Sequence, residues 1–172
     1  MCSIMNKKTI SFVLPVYNEV EGITEFHRVL SDTIEILEKK YNLDLIFVND
    51  GSSDGSDMIL RKIAEKDLRV KVVEFSRNFG HQIAVTAGLD FAVGDAVVIM
   101  DTDLQDPPGI CPELVREWEN GTEVVYAVRK TRKDGLFKRA TAWIFYKIMS
   151  VLSDYPIPEN TGDFRLLDSK AA

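Results

Sequence analysis

The chain is poor in cysteine and has no long apolar run. Its two cysteines, Cys2 and Cys111, form neither a CxxC pair nor a ligand cluster, so neither a disulfide framework nor a zinc site is indicated. No stretch approaches the roughly 20 apolar residues that a membrane-spanning helix needs, and residues 1–6 carry no apolar core of a signal peptide. We therefore expect a protein that is made and kept in the cytosol.

An excess of basic residues is also lacking. The 172 residues include 21 lysines and arginines against 27 aspartates and glutamates, which gives a net charge of -6. A protein that grips nucleic acid needs a basic surface to hold the phosphates, so we expect no nucleic-acid partner. Hydrophobic residues make up 45% of the chain and charged residues 28%, as in ordinary globular proteins with one core. The composition predicts a single domain over residues 1–172.

Two glycine signatures of nucleotide-binding enzymes are missing. The ten glycines include no G-x-G and no Gly-Lys pair, so the dinucleotide fingerprint and the P-loop are both absent. Residues 51–55 do match G-x-S-x-G, the nucleophile elbow of serine hydrolases, with Ser53 as the nucleophile. The only later histidine is His81, and few candidate acids precede it to complete a triad. A serine hydrolase using Ser53 is therefore a minor alternative. His27 is expected to be a surface or boundary side chain, and His81 a residue of the first helical turn with structural hydrogen bonds.

The sequence does contain a regular alternation of apolar runs and helical patterns. This order predicts an α/β fold with a mainly parallel sheet flanked by helices. Strands are expected at residues 10–14, 45–48, 70–75, 96–100 and 123–128, and helices at 21–40, 56–66, 81–92 and 112–119. Ligands of open α/β sheets bind outside the carboxyl ends of the strands, so functional residues are expected there.

Two aspartates follow the fourth predicted strand. Asp101 and Asp103 come directly after the apolar run 96–100, and side chains two residues apart leave an extended backbone on the same side. Converging carboxylates repel each other unless a cation lies between them, and Mg²⁺ is commonly held by one or two carboxylates together with substrate phosphates and water. The residues alone leave two interpretations open, a metal site and a solvated polar turn.

Polar groups also follow the second predicted strand. An acidic residue at the end of an early strand can accept hydrogen bonds from a ribose or a base edge, and Asp50 is placed for this. Ser53 and Asp54 follow closely and precede a predicted helix. We expect these two side chains to cap that helix rather than to contact a ligand.

Three motifs stand at the strand ends in a fixed order. They are Pro15-Val16-Tyr17-Asn18-Glu19, Val48-Asn49-Asp50-Gly51-Ser52-Ser53-Asp54 and Asp101-Thr102-Asp103-Leu104-Gln105-Asp106-Pro107-Pro108. Together they resemble the inverting glycosyltransferases of family 2. Two further segments are similar to the polyprenyl-phosphate sugar transferases of that family, which include dolichol-phosphate mannosyltransferases and bactoprenol glucosyltransferases: Ser76-Arg77-Asn78-Phe79-Gly80 and Thr161-Gly162-Asp163-Phe164-Arg165-Leu166-Leu167-Asp168.

The resemblance implies a GT-A type, Rossmann-like fold and a metal-dependent, inverting transfer. The donor would be a nucleoside-diphosphate sugar and the acceptor a polyprenyl phosphate, as in cell-wall or glycolipid biosynthesis. The implied cofactor is Mg²⁺ or Mn²⁺ at Asp101, Asp103 and Gln105. The residues implied in binding the nucleotide-sugar are Pro15, Tyr17, Glu19, Asp50 and Asp101.

Two further residues are implied in the reaction with the acceptor. Asp163 matches an acidic residue that is often assigned as the catalytic base, and Arg129 matches a basic residue that faces the acceptor phosphate. A phosphate monoester has a second pKa near 6, so much of the acceptor is already deprotonated in the cytosol. This favours an orienting role for Asp163 over that of an obligatory base.

The segment after the last predicted strand combines positive charge with aromatic residues. Residues 129–134 form either a solvated loop or a flexible cover that neutralises the acceptor phosphate and approaches anionic lipid. Residues 140–152 carry several aromatic side chains and either lie in a membrane interface or pack on the core. We expect the protein to act at the cytoplasmic face of a membrane. Family members continue beyond Asp168, so a chain truncated at its C-terminus is expected, and a nucleotide-sugar-binding remnant without turnover is the alternative function.

Overall fold

The computed structural model describes residues 7–105, 107–128 and 161–172. Along the chain lie β1 (Thr9–Val16), α1 (Ile23–Glu38), β2 (Asn42–Asn49), α2 (Ser56–Ala64), β3 (Val70–Glu74), α3 (His81–Phe91), β4 (Ala96–Ile99), a short 3-10 turn (Pro108–Ile110), α4 (Cys111–Glu119), β5 (Val124–Val128) and β6 (Thr161–Asp168). The chain divides into two compact units, residues 1–126 with 163–172, and residues 127–162. The first unit contains all four helices named above.

The six strands form one sheet in the order β3-β2-β1-β4-β6-β5. Neighbours in the series β3-β2-β1-β4 pair in parallel, whereas β6 is antiparallel to β4, with Arg165 opposite Ile99. The predicted α/β class and mainly parallel sheet are therefore confirmed. The carboxyl ends of β1, β2 and β4 meet at one edge of the sheet, referred to below as the carboxyl edge.

β6 was not among the predicted strands. It contains Gly162 and the charged residues Asp163, Arg165 and Asp168, which are all poor indicators of a strand. Its pairing partner β4 lies more than 60 residues away in the chain. Pairing with β4 and burial of Phe164 and Leu166 outweigh the local composition.

The two faces of the sheet are covered by different helices. α1 is amphipathic and packs its buried stripe on one face, where the ring centroids of Phe26 and Phe47 lie 6.4 Å apart. α3 packs on the other face, where its Ala84 lies against Ile46 and Val48, because side chains alternate along β2. Burial of a phenylalanine, isoleucine or valine side chain of this kind contributes about 1.5–3 kcal/mol.

α3 approaches the sheet closely because Gly88 has no side chain. A Cβ atom at this position would lie 2.3 Å from Cγ1 of Val13 on β1. The close approach lets Val85 join the core cluster of Val13, Val97 and Ile99. It also fixes the N-terminus of α3 at the carboxyl edge.

None of the helices within the described ranges combines the length and the apolar character that crossing a bilayer requires.

A polar network ties the turn before β3 to α1. The carboxylate of Asp67 accepts hydrogen bonds from Arg69 (2.9 Å from Nε and 2.6 Å from Nη2) and lies 2.9 Å from Nε2 of His27. Arg69 also donates to the hydroxyl of Ser31 at 2.9 Å and pairs with Glu38. The hydrogen bonds from Arg69 hold the pKa of Asp67 well below its ordinary value.

We expect Asp67→Asn to lower the free energy of unfolding at pH 7 by about 2 kcal/mol, because Arg69 loses one of its two carboxylate partners. A carboxyl with a lowered pKa in the folded state stabilises the fold above its unfolded pKa of about 3.9, and this contribution is lost as the pH falls through the folded value. The difference between the two proteins should therefore shrink as the pH is lowered below about 4. Urea unfolding at pH 7 and at pH 3 measures this.

The matched control is Asp32→Asn, whose exposed carboxylate pairs with Arg28 on the surface of α1. It should change stability by less than about 0.5 kcal/mol at either pH. Equal losses for the two variants, or a loss for Asp67→Asn that does not depend on pH, would contradict the role given to Asp67.

Candidate functional site

The loops that follow β1 and β2 are hydrogen-bonded to each other at the carboxyl edge. The backbone amide of Asn18 donates to the Ser52 hydroxyl at 3.0 Å, and the Asn18 side-chain oxygen accepts the Ser53 amide at 2.9 Å. Asn18 adopts a φ of 54°, which Asn tolerates better than most residues. The two loops therefore form one fixed wall of the site.

The serine-rich loop makes further contacts of this kind. The Glu19 amide donates to the Ser56 hydroxyl at 3.1 Å, and the Val20 amide donates to Asp54 at 3.0 Å. α2 begins at Ser56 behind Gly55, and no side-chain hydrogen bond caps it at that residue. Gly55 occupies the N-cap position, so the capping prediction is wrong for Ser53, while Asp54 accepts the amide of Ser56 in the first turn of α2 and the amide of Val20 in the loop after β1.

Three predicted nucleotide-binding residues lie at the carboxyl end of β1 and in the loop that follows it. The carbonyl of Pro15 in β1 accepts a hydrogen bond from the buried Thr102 hydroxyl at 3.1 Å, which joins the end of β1 to the segment after β4. Tyr17 is 49% exposed and presents its ring to solvent. Burial raises the pKa of Glu19, and the neighbouring carboxylates of Asp103 and Asp54 raise it further.

Asp50 is engaged by the protein itself. Its side chain is buried, with one carboxylate oxygen accepting the Phe79 amide at 2.7 Å and the other accepting the Gly80 amide at 2.9 Å. The carboxylate thus fixes the end of the loop between β3 and α3. The structure adds this second role to the expected contact with a nucleoside.

The same loop lies against Gly51. A Cβ atom on Gly51 would lie 2.3 Å from the carbonyl carbon of Arg77, and Gly51 has a φ of +65°, which favours glycine. The backbone of Arg77 can approach the end of β2 only because position 51 has no side chain.

The aspartate pair flanks a buried residue. β4 ends at Ile99, and Thr102 is buried between the partly exposed Asp101 and the exposed Asp103. The alternation of side chains continues past the strand, as the predicted convergence of the two carboxylates requires. Asp101 lies 3.8 Å from Nε2 of His81, at the first turn of α3.

Asp103 and Gln105 belong to one tight turn. A carboxylate oxygen of Asp103 accepts the backbone amide of Gln105 at 2.9 Å, and Leu104 between them has a φ of 59°. A positive φ is strained for leucine, and strained residues persist where the surrounding structure fixes them, often at functional sites. The turn therefore presents Asp103 and Gln105 together at the exposed end of the site.

The donor groups at this edge fit a hard divalent cation. Asp101, Asp103 and Gln105 offer oxygen ligands, and the effect of Asp103 on the pKa of Glu19 shows that negative charge accumulates here. The described residues form no group of three histidine, cysteine, aspartate or glutamate side chains that could enclose a metal ion. Asp101, Asp103 and Gln105 would supply part of a coordination shell, as is usual for a cation that also binds substrate phosphates.

Of the two residues predicted to act on the acceptor, Asp163 lies within the described residues and Arg129 does not. Arg129 lies outside the described residues, and so do Asp106 and the segments 129–134 and 140–152. Asp163 lies in β6, two residues before Arg165, which pairs with Ile99 of β4.

Comparison with known proteins agrees with this architecture. A mannosyltransferase from Pyrobaculum calidifontis, solved with GDP-Man and Mn²⁺, superposes with a TM-score of 0.65 over 96% of this chain and 46% of its own, at 21% identity. At that identity the likeness shows the fold alone. The predicted GT-A fold is confirmed.

Several bacterial proteins are much more similar to this chain in sequence than this mannosyltransferase is. YkcC of Bacillus subtilis, described as an uncharacterized glycosyltransferase, is 52% identical over 93% of this chain and 49% of its own length. A prophage bactoprenol glucosyl transferase homolog of Escherichia coli is 43% identical over 92% of this chain and 51% of its own length. The chain thus spans about half the length of these curated relatives.

The family model "Glycosyl transferase family 2" matches residues 11–172. This range contains the carboxyl ends of all the strands described above. The chain belongs to glycosyl transferase family 2.

Proposed function

We propose that the protein binds a nucleoside-diphosphate sugar at the carboxyl edge and transfers the sugar to a polyprenyl phosphate. The observation that carries the proposal is the 43% identity over 92% of the chain with a relative named as a bactoprenol glucosyl transferase homolog. Membership of family 2 and the carboxylates at the sheet edge support the same activity.

The donor nucleotide would lie across the ends of β2, β1 and β4. Tyr17 supplies an exposed aromatic ring and Glu19 a carboxylate in the loop after β1, while Thr102 holds Pro15 at the end of that strand. Asp50 anchors the neighbouring loop, and Asp101 stands at the opposite end. A pre-formed site of this kind lowers the entropic cost of binding the donor.

Asp101, Asp103 and Gln105 would hold Mg²⁺ or Mn²⁺ together with the donor diphosphate. The solved relative with Mn²⁺ and GDP-Man supports a divalent cation in this fold. When bound, the cation supplies Lewis-acid stabilisation of the charge that builds on the leaving diphosphate.

Transfer requires that an acceptor oxygen replaces the diphosphate at the anomeric carbon. The bond from that carbon to the nucleoside diphosphate breaks, and a bond to an oxygen of the acceptor phosphate forms on the opposite face, which inverts the anomeric centre. The attacking phosphate monoester is largely deprotonated at neutral pH, so it needs orientation more than a base. We assign this orienting role to Asp163, and the neutralisation of acceptor charge to Arg129.

The acceptor also implies a membrane surface. The basic segment 129–134 and the aromatic segment 140–152 are the parts of the sequence suited to anionic lipid and to a membrane interface. We propose that they hold the protein at the cytoplasmic face, where nucleotide-sugars are available.

The test is transfer of labelled sugar from UDP-glucose and from GDP-mannose to polyprenyl phosphate in detergent micelles. We expect lipid-extractable product from one donor with Mg²⁺ or Mn²⁺, none with excess chelator, and an inverted anomeric configuration by NMR. Asp163→Asn should raise the KM for the acceptor more than it lowers kcat.

Each part of the proposal has its own contradicting result in this assay. Metal-dependent donor binding without product would contradict transfer and favour a binding protein without turnover. Product in chelator would contradict the role of the cation, and a retained anomer would contradict inversion. A large fall in kcat for Asp163→Asn at saturating acceptor would restore the role of base.

A further inference from the structure

Arg165 lies in β6, close to the carboxyl edge. In the antiparallel pair of β6 and β4 it stands opposite Ile99, the last residue of β4, so the two backbones are neighbours at this point. Asp101 follows Ile99 by two residues, which span at most about 7 Å. The long side chain of Arg165 therefore begins within reach of the first candidate metal ligand.

The side chain of Arg165 lies on the face of the sheet that α3 covers. Leu167, two residues further along β6, packs against the core cluster that contains Ile99 and lies beneath α3. Side chains two residues apart on a strand share a face, so Arg165 is on this side as well. The first turn of α3 brings His81 to 3.8 Å from Asp101 on the same side.

Arg165 is partly buried, and its guanidinium lacks a partner. Its Nε is buried and has no hydrogen-bond acceptor among the residues that the structure describes. None of the ion pairs between described residues includes Arg165. The other described arginines each have a partner: Arg28, Arg61, Arg69 and Arg116 pair with carboxylates, and Arg77 stacks on Phe79.

An unpartnered guanidinium in this position is costly to the fold. A buried N–H without an acceptor loses its hydrogen bonds to water and gains none in return, and a partly buried cation also lacks a counter-ion. Native proteins keep few such groups, and a bound ion or a role in catalysis is a common reason for keeping them. An oxyanion would supply both the acceptor and the opposite charge. Phosphate suits a guanidinium especially well, because its oxygens can accept two parallel N–H bonds.

We propose that Arg165 binds a phosphate group of a substrate at the carboxyl edge, with its Nε–H donating to a phosphate oxygen. The inference rests on the proposed function, because it supposes phosphorylated substrates at this edge. Two substrates of the proposed reaction carry the group, the donor as a diphosphate and the acceptor as a monoester. The shared chemistry is a phosphate oxyanion, and separate measurements on the two substrates distinguish the sources.

Arg165→Met tests the proposal, because methionine keeps an unbranched apolar stem and removes both the charge and the Nε–H. If the donor diphosphate is the ligand, the variant should bind the preferred ligand of UDP and GDP, with Mn²⁺ present, at least about tenfold more weakly than the wild type. If the acceptor phosphate is the ligand, that affinity should stay within about twofold of the wild type, and the KM for polyprenyl phosphate should rise at least about tenfold. Wild-type values in both measurements would overturn the inference.

The stability of the ligand-free variant separates ligand binding from a structural role. Arg165→Met should unfold at the same urea concentration as the wild type or at a higher one, because it no longer contains the unsatisfied donor. A lower midpoint, or a failure to fold, would overturn the inference, because it would show that the protein itself already satisfies the guanidinium.

The matched control is Arg116→Met, which removes an exposed arginine from α4. It should bind the nucleotide and use the acceptor like the wild type. An equal loss in this control would overturn the inference by showing an effect of net charge alone. A wild type that neither binds nucleotide nor transfers sugar would contradict the proposed function itself, whereas a competent wild type matched by Arg165→Met would contradict the inference alone.

Discussion

Asp101→Asn and Asp103→Asn are each expected to lower the rate of sugar transfer by about 100-fold or more. Each change keeps the shape of the side chain and removes one of the two carboxylate charges that would hold the cation against the diphosphate. Both positions are at least partly exposed, and the buried Thr102 between them keeps its bond to Pro15, so both variants should fold. Initial rates at saturating donor and Mn²⁺, with thermal unfolding as the folding check, measure the effect.

The control for this pair is Asp90→Asn, an exposed aspartate on α3. It should transfer sugar at the wild-type rate. If Asp101→Asn and Asp103→Asn both stayed within about threefold of the wild type, the electrostatic role of the pair would be contradicted.

Gly51→Ala is expected to remove donor binding and to lower the free energy of unfolding by about 3 kcal/mol. Part of the loss, roughly 1–2 kcal/mol, comes from placing alanine at a φ of +65°. The rest comes from the new Cβ, which would lie 2.3 Å from the carbonyl carbon of Arg77. Because that neighbour is backbone, the loop between β3 and α3 must move, and this disturbs the hydrogen bonds from the amides of Phe79 and Gly80 to Asp50.

Gly121→Ala separates these two contributions. Gly121 follows α4 with a φ of +98°, and nothing lies within 4 Å of an added Cβ. This variant should lose only the backbone contribution and should keep donor binding. Urea unfolding and calorimetry on both variants provide the comparison, and equal stability losses with intact donor binding in Gly51→Ala would contradict the packing of the loop on Gly51.

The elements of the parallel sheet were predictable because their signals are local. β1, β2 and β4 are runs of apolar residues buried by helices on both faces, and α1 shows its buried stripe at helical spacing. β6 was missed because its order comes from pairing with β4, a partner distant in the chain. The local composition of β6 does not indicate such a partner.

The candidate site was predictable only in outline. Strand ends that share an edge bring Asp50 and Asp101 to one side of the sheet, and topology alone gives this result. The contacts of Asp50 with the amides of Phe79 and Gly80 depend on the path of a loop, which no periodic pattern encodes. Ser53 was expected to cap α2 because serine is favoured at the N-cap, but Gly55 occupies that position.

The most direct test of the central claim is an anomalous diffraction map of the crystallised protein with Mn²⁺ and a nucleoside diphosphate. We predict one strong manganese peak within coordination distance of Asp101 or Asp103 and of the diphosphate oxygens, at the carboxyl edge. A nucleotide bound elsewhere, or manganese without contact to either aspartate, would contradict the account.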